Sequence, residues 1–104
     1  MKYPIFLSIL LIFPLSTVNA DDSERNPIAK QIKKQIIQHI SNKDIKGFCD
    51  VFIELSHSKN IATVKRVTGT GDYRVCKASK KAIKKGKQYK YRTPEKYLRI
   101  HIAN

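Results

Sequence analysis

The stretch Cys49-Asp50-Val51-Phe52-Ile53-Glu54-Leu55-Ser56-His57-Ser58-Lys59-Asn60-Ile61-Ala62-Thr63-Val64-Lys65-Arg66-Val67-Thr68 decides the fold. Cys49, Val51, Ile53 and Leu55 fall on one side and Asp50, Glu54 and Ser56 on the other, the two-residue period of a strand with one buried face. Phe52 interrupts the polar side, either as a surface anchor or as a residue covered by a neighbouring element. Ser58-Lys59-Asn60 is a turn in which the asparagine can take the left-handed conformation, and β-branched residues resume the extended pattern. The stretch predicts a hairpin with strands over 48–56 and 61–68.

Upstream of the hairpin, Asn26-Pro27 reads as an N-cap followed by proline at the first helical position, where its missing N–H costs nothing. Ile28, Ile32, Ile36 and Ile40 then recur every fourth residue with Ala29 and Ile37 beside them, the stripe of an amphipathic helix. Residues 21–25 read as a short flexible lead, and 41–47 as a loop. Downstream, Gly69-Thr70-Gly71 ends the second strand and Asp72 caps a helix that begins at Tyr73 or Arg74 and stops at Gly86. Thr93-Pro94-Glu95 opens one helical turn or a bend, after which Leu98, Ile100 and Ile102 alternate with Arg99 and His101 as a third strand. The order helix, strand, strand, helix, strand predicts an α+β domain: a small three-stranded antiparallel sheet packed against helices on one face.

The ends of the chain set its compartment. Met1-Lys2-Tyr3 places one positive charge before an apolar run over 5–13, too short to span a membrane. Pro14 and a stretch ending in Val18-Asn19-Ala20 follow, then the acidic Asp21-Asp22-Ser23-Glu24. This is the pattern of a secretory signal over 1–20 cleaved after Ala20, which leaves one domain over 21–104. The 104 residues carry 21 Lys and Arg against 8 Asp and Glu, a net charge of +13, and residues 1–20 hold only Lys2 of these. The charge therefore belongs to the exported part. With 41% hydrophobic residues and only 4 Gly and 4 Pro, neither a disordered tail nor a collagenous repeat fits. Cys49 and Cys76 are the only two cysteines, and an oxidising compartment lets them pair; a thiol redox or nucleophile role lacks a CxxC spacing and a nearby His.

Catalytic chemistry has little to stand on. His39, His57 and His101 are scattered without metal-ligand spacing, and no acidic cluster accompanies them, so neither a metal nor a cofactor is expected. Asp50 and Glu54 share a strand face about 13 Å apart, beyond the reach of glycosidase pairs. No nucleophile elbow or phosphate-binding glycine loop is present, and no enzyme is expected. Between Arg74 and Arg92 stand nine positive residues and no acid: Arg74, Lys77, Lys80, Lys81, Lys84, Lys85, Lys87, Lys90 and Arg92. They read either as a solvated helix face or as a surface that steers an anionic partner, such as lipopolysaccharide phosphates or nucleic acid. Tyr89 and Tyr91 interleave the charges and could stack on bases, although export argues against nucleic acid.

Cys49-Asp50-Val51-Phe52-Ile53-Glu54-Leu55, Ile61 and Val64, Gly71-Asp72, Cys76-Lys77-Ala78 and Ala82-Ile83 together resemble the TolA C-terminal domain family, related in fold to the TonB C-terminal domain. The likeness extends over residues 28–104, and the most specific part is Gly-Asp four residues before the second Cys. It implies a three-stranded antiparallel sheet covered by helices, a Cys49–Cys76 disulfide, a periplasmic location and protein binding without catalysis. Its partners would be TolB-like envelope proteins, colicin translocation segments or filamentous-phage minor coat proteins. The chain departs from the family in lacking TolA's membrane helix and long helical arm, in having Asn60 where glycine is common, and in a shorter segment before the last strand. The expected binding site is the edge strand Tyr97, Leu98, Arg99, Ile100, His101 and Ile102, its free backbone groups offering a template for an incoming strand. A cationic envelope protein that binds lipopolysaccharide or another polyanion through the Arg74 to Arg92 run is the second reading, and a toxin immunity protein a third.

Overall fold

A computed structural model of the chain describes residues 21–104, so the signal expected over 1–20 lies outside the described residues. The first long helix starts where Asn26 and Pro27 place it. Asn26 Oδ1 accepts the N–H groups of Ile28 and Ala29 at 2.8 and 3.0 Å, and α1 spans Pro27–Ile40. Ile28, Ala29, Ile32, Ile36 and Ile40 are buried against the sheet, whereas Ile37 stands 43% exposed on the flank of the stripe. Residues 21–25 are not a loose lead: Asp22–Glu24 forms a short 3-10 turn with Ser23 buried.

The hairpin is longer than the sequence pattern suggests. β1 spans Phe48–Ser58 and β2 spans Ile61–Gly71, antiparallel, with Ser58 opposite Ile61 across a two-residue loop. The positive φ of that loop falls on Lys59, at 56°, and not on Asn60. A two-residue hairpin loop that follows the twist of the strands wants its first residue in the left-handed region. Lys65 is an extra residue between Arg66, opposite Glu54, and Val64, opposite Leu55, and so forms a bulge. Gly69-Thr70-Gly71 continues β2 because small residues are needed there: a Cβ on Gly69 would lie 2.8 Å from Cys49 Sγ.

Asp72 Oδ1 accepts the Val75 N–H at 3.0 Å and starts α2, Tyr73–Lys81. The helix ends five residues before Gly86. The Gly86 N–H donates to the Val64 carbonyl and the Val64 N–H to the Lys87 carbonyl, both at 2.9 Å, so the chain is drawn onto the outer side of β2. There it makes β3, Gln88–Lys90, which pairs antiparallel with residues 61–63. The chain bends at Arg92-Thr93 and again at Lys96, with no helical turn over 93–95, and β4, Tyr97–Ala103, pairs antiparallel with β1.

The sheet thus has four strands in the order β3-β2-β1-β4, not the three expected. The α+β class holds, with both helices on one face and the Cys49–Cys76 disulfide tying β1 to α2. One contiguous core joins the isoleucine stripe of α1, the inward residues of β1 and β4, and Val75, Cys76 and Ile83.

Candidate interaction surface

Among the described residues β4 lies at one margin of the sheet, where the strand it pairs with is β1. The phase of its hydrogen bonds is fixed at both ends. The Leu55 N–H donates to the Lys96 carbonyl at 2.8 Å, and Gly47 and Asn104 exchange N–H to carbonyl bonds at 3.3 and 2.9 Å. In an antiparallel ladder the bonded pairs alternate, so Leu98, Ile100 and Ile102 turn both their backbone groups towards β1. Tyr97, Arg99, His101 and Ala103 turn theirs outward. Of the six edge residues expected from sequence, three carry outward backbone groups and three carry the core: Leu98, Ile100 and Ile102 are buried.

Among the described residues one outward amide is occupied: Arg99 N–H donates to Asp22 Oδ2 at 2.8 Å. Asp21 secures the same turn. Its carboxylate takes the Lys33 ammonium at 2.6 Å and the Ser23 N–H at 2.9 Å. Burial pushes the Asp21 carboxyl up, but the hydrogen bonds from Lys33 and Ser23 and the Lys33 charge outweigh it and hold the group below its ordinary value.

The sheet face turned away from the helices is polar with aromatic inserts. His101 Nδ1 lies 2.8 Å from Asp50 Oδ1 and Arg99 3.9 Å from Asp50 Oδ2, while Glu54 pairs with Arg66 at 3.4 Å and Lys65 at 3.9 Å. Both carboxylates that share this face are thus matched by cations. Phe52 is a surface residue, with the Arg99 guanidinium 5.3 Å from its ring centre, and Phe48 stacks on His101 at 5.7 Å. Cross-strand register makes these contacts: Asp50 stands opposite His101 and Phe52 opposite Arg99. Alternation along one strand does not reveal them.

Arg74, Lys77, Lys80, Lys81, Lys84, Lys85, Lys87, Lys90 and Arg92 are all exposed, and among the described residues none pairs with a carboxylate. Arg74, Lys77 and Lys81 line a groove of about 300 Å³ with His39 and Lys43, between the end of α1 and α2. Lys90 and Arg92 line a different one with Arg25, beside the start of α1. Tyr89 is not available to stack on bases, and Tyr91 is half-buried and engaged at its hydroxyl and ring. Tyr89 is buried and donates its hydroxyl to Gln35 Oε1 at 3.2 Å, and burial pushes its ionisation up. Tyr91 donates to the Lys59 carbonyl at 2.7 Å and meets the His57 ring edge-on.

Among the described residues no cluster of three or more His, Cys, Asp or Glu could hold a metal ion, and no helix is long and apolar enough to cross a membrane. Comparison with protein-family models, with curated proteins and with solved structures finds no match to this chain.

Proposed function

We propose that this chain is a periplasmic protein-binding module, similar to a TolA C-terminal domain, which takes an extended segment of its partner along β4. The observation that carries the reading is the outer margin of β4, where Tyr97, His101 and Ala103 present backbone groups that no described residue occupies. Strand addition supplies affinity through main-chain bonds and specificity through alternate side chains, here Tyr97, Arg99 and His101 on the open face. Partners of the TolB, colicin or phage coat protein kind are the candidates that the family likeness brings with it. Export follows from the signal over 1–20, with cleavage after Ala20. Binding, without catalysis, is the whole activity in this reading.

A second reading has its own observation: nine exposed cations without described carboxylate partners, three of them lining the groove by α2 with His39 and Lys43. Such a surface suits lipopolysaccharide or another polyanion.

The test is capture from envelope extract by the native chain and by His101→Pro, at low salt and at about 0.3 M, where exposed charges are largely screened. Proline at His101 removes an outward N–H and leaves the ladder to β1 intact. The same change at Ile100 would remove an inward bond and damage the fold, so it does not report on docking. A protein retained at both salts by the native chain and lost with His101→Pro supports strand docking. Retention of polyanions that ends at high salt and ignores the proline assigns the function to the cations.

A further inference from the structure

The margin of β4 carries a segment of this same chain. The turn Asp22–Glu24 packs against both α1 and β4. Asp22 Oδ2 holds the Arg99 N–H at 2.8 Å, in the place where the carbonyl of an added strand would bond. Asp21, one residue earlier, answers the Lys33 ammonium. The Arg25 and Asn26 N–H groups donate to the Asp22 carbonyl at 3.1 and 2.9 Å, which leads the turn straight into the cap of α1. This arrangement spans 77 positions of sequence, from Asp22 to Arg99.

The surroundings describe what the turn satisfies. On the flank of α1 it borders a groove of about 700 Å³ lined by Ser23, Glu24, Lys30, Lys33, Lys34 and Ile37. Three of those side chains are cations, and Ile37 is an exposed apolar residue among them. An acidic segment is therefore already seated on a cationic rim, with one of its oxygens standing in for a strand carbonyl. Whatever displaces it must return a carbonyl to Arg99 and negative charge to Lys33, and in an extended segment the residues that face Lys33 fall at every second position.

We propose that residues 21–24 are a built-in stand-in for the partner: they close the β4 margin at Arg99 and give way to an acidic, extended segment in which apolar and acidic residues alternate. This rests on the strand-docking reading, and it adds both the partner's chemistry and a gate. The gate is partial, because His101 and Ala103 remain outward beyond it and offer a first foothold. His101, paired with Asp50, stays on the open face during the exchange.

The experiment uses the protein expressed from its full sequence, as native chain, Asp22→Ala and Asp22→Asn. Its probes are a synthetic hexapeptide of alternating Val and Glu and the same peptide with Lys for Glu. Backbone amide resonances report the site of binding, and hydrogen exchange reports the state of the Arg99 amide. In the native chain Arg99 exchanges more slowly than His101. Asp22→Ala brings it to the His101 rate and tightens the Val/Glu peptide by roughly fivefold, the factor that one net hydrogen bond is worth. Asp22→Asn, which keeps the acceptor oxygen, retains most of the protection. The Val/Lys peptide shifts nothing on β4. Equal affinity of native and Asp22→Ala for the Val/Glu peptide, with β4 amides shifted in both, overturns the gate and leaves strand docking standing. Shifts confined to α2 amides overturn strand docking itself, and the gate with it. Shifts of β4 by the Lys peptide overturn the acidic chemistry of the partner.

Discussion

The two margins of the sheet are finished in opposite ways. On one side β3 is 3 residues long, covers only residues 61–63 of β2, and is pinned by a single buried side chain, Tyr89. Where β3 stops, β2 carries the Lys65 bulge and Arg66, the short, twisted and charged finish that discourages pairing. On the other side β4 is 7 residues long, regular, and anchored by Leu98, Ile100 and Ile102 in the core. Among the described residues its outward groups are answered at one amide, by Asp22. A margin protected by its own geometry resists any added strand, whereas one protected by a single removable side chain admits a strand that competes with it. That difference is why the interaction surface is assigned to β4.

The comparison can be broken in graded steps. Removing the disulfide with paired Cys49→Ser and Cys76→Ser changes should act on both margins, because the bond ties the central strand β1 to α2. Freeing a loop of 27 residues is expected to lower stability by roughly 3–4 kcal/mol, read by urea denaturation of oxidised and variant chains. Tyr89→Ala should act on one margin alone. It empties a buried site and deletes the bond to Gln35, for a loss of about 2–4 kcal/mol, and it should strip exchange protection from the Ala62 amide opposite it. Leu98 and Ile100 should keep their protection except through the global loss. Equal local loss on β4 would mean that the two margins are not independent.

Smaller effects sharpen the picture at the ends of the strands. Lys59→Gly relieves a left-handed φ of 56° at the hairpin tip. Part of the gain is returned as unfolded-state freedom, so the net stabilisation expected in thermal or urea unfolding is roughly 0.5–1 kcal/mol. The smallest effect concerns the turn on β4. Because the folded-state pKa of Asp21 is lowered from 3.8, its contribution is present above the unfolded value and is lost as pH falls from 3.8 through the folded value. Asp21→Asn should flatten that part of the acid-unfolding profile and leave the region above pH 5 nearly parallel to the native one.

Features set by neighbours in sequence were legible in the sequence. The Asn26 cap, the isoleucine stripe, the hairpin and the Asp72 cap each depend on residues within a few positions, and each is present. The disulfide was expected from a chain with two cysteines and a sequence pattern of a secretory signal, and it is present. Local readings missed the left-handed residue of the hairpin loop, Lys59 in place of Asn60, and the end of α2 at Lys81; the larger features that escaped are set at long range. Gln88-Tyr89-Lys90 has the composition of a loop and becomes a strand through its pairing with residues 61–63. The turn at Asp22 looked like a free lead because its partners, Lys33 and Arg99, are remote.

The candidate site was half legible for a related reason. Alternation tells which side chains of β4 are buried, and those were read correctly; it does not tell which backbone groups face outward. That depends on which pairs are hydrogen-bonded, and hence on the register with β1. Ile100 therefore looked like an edge residue in the sequence although its backbone groups face inward. The run from Arg74 to Arg92 passes from α2 through β3, and five of its nine cations line two different grooves: Arg74, Lys77 and Lys81 the one beside α2, Lys90 and Arg92 the one beside the start of α1.

Docking of a partner on β4 through its outward amides is the proposed function. It is tested most directly by amide hydrogen exchange of the chain alone and in the presence of the protein captured from envelope extract. His101 and Ala103 should exchange rapidly when free and become protected in the complex, while Ile100 and Ile102 are protected in both states. Protection that appears instead along α2, with His101 and Ala103 still exchanging rapidly, would contradict it.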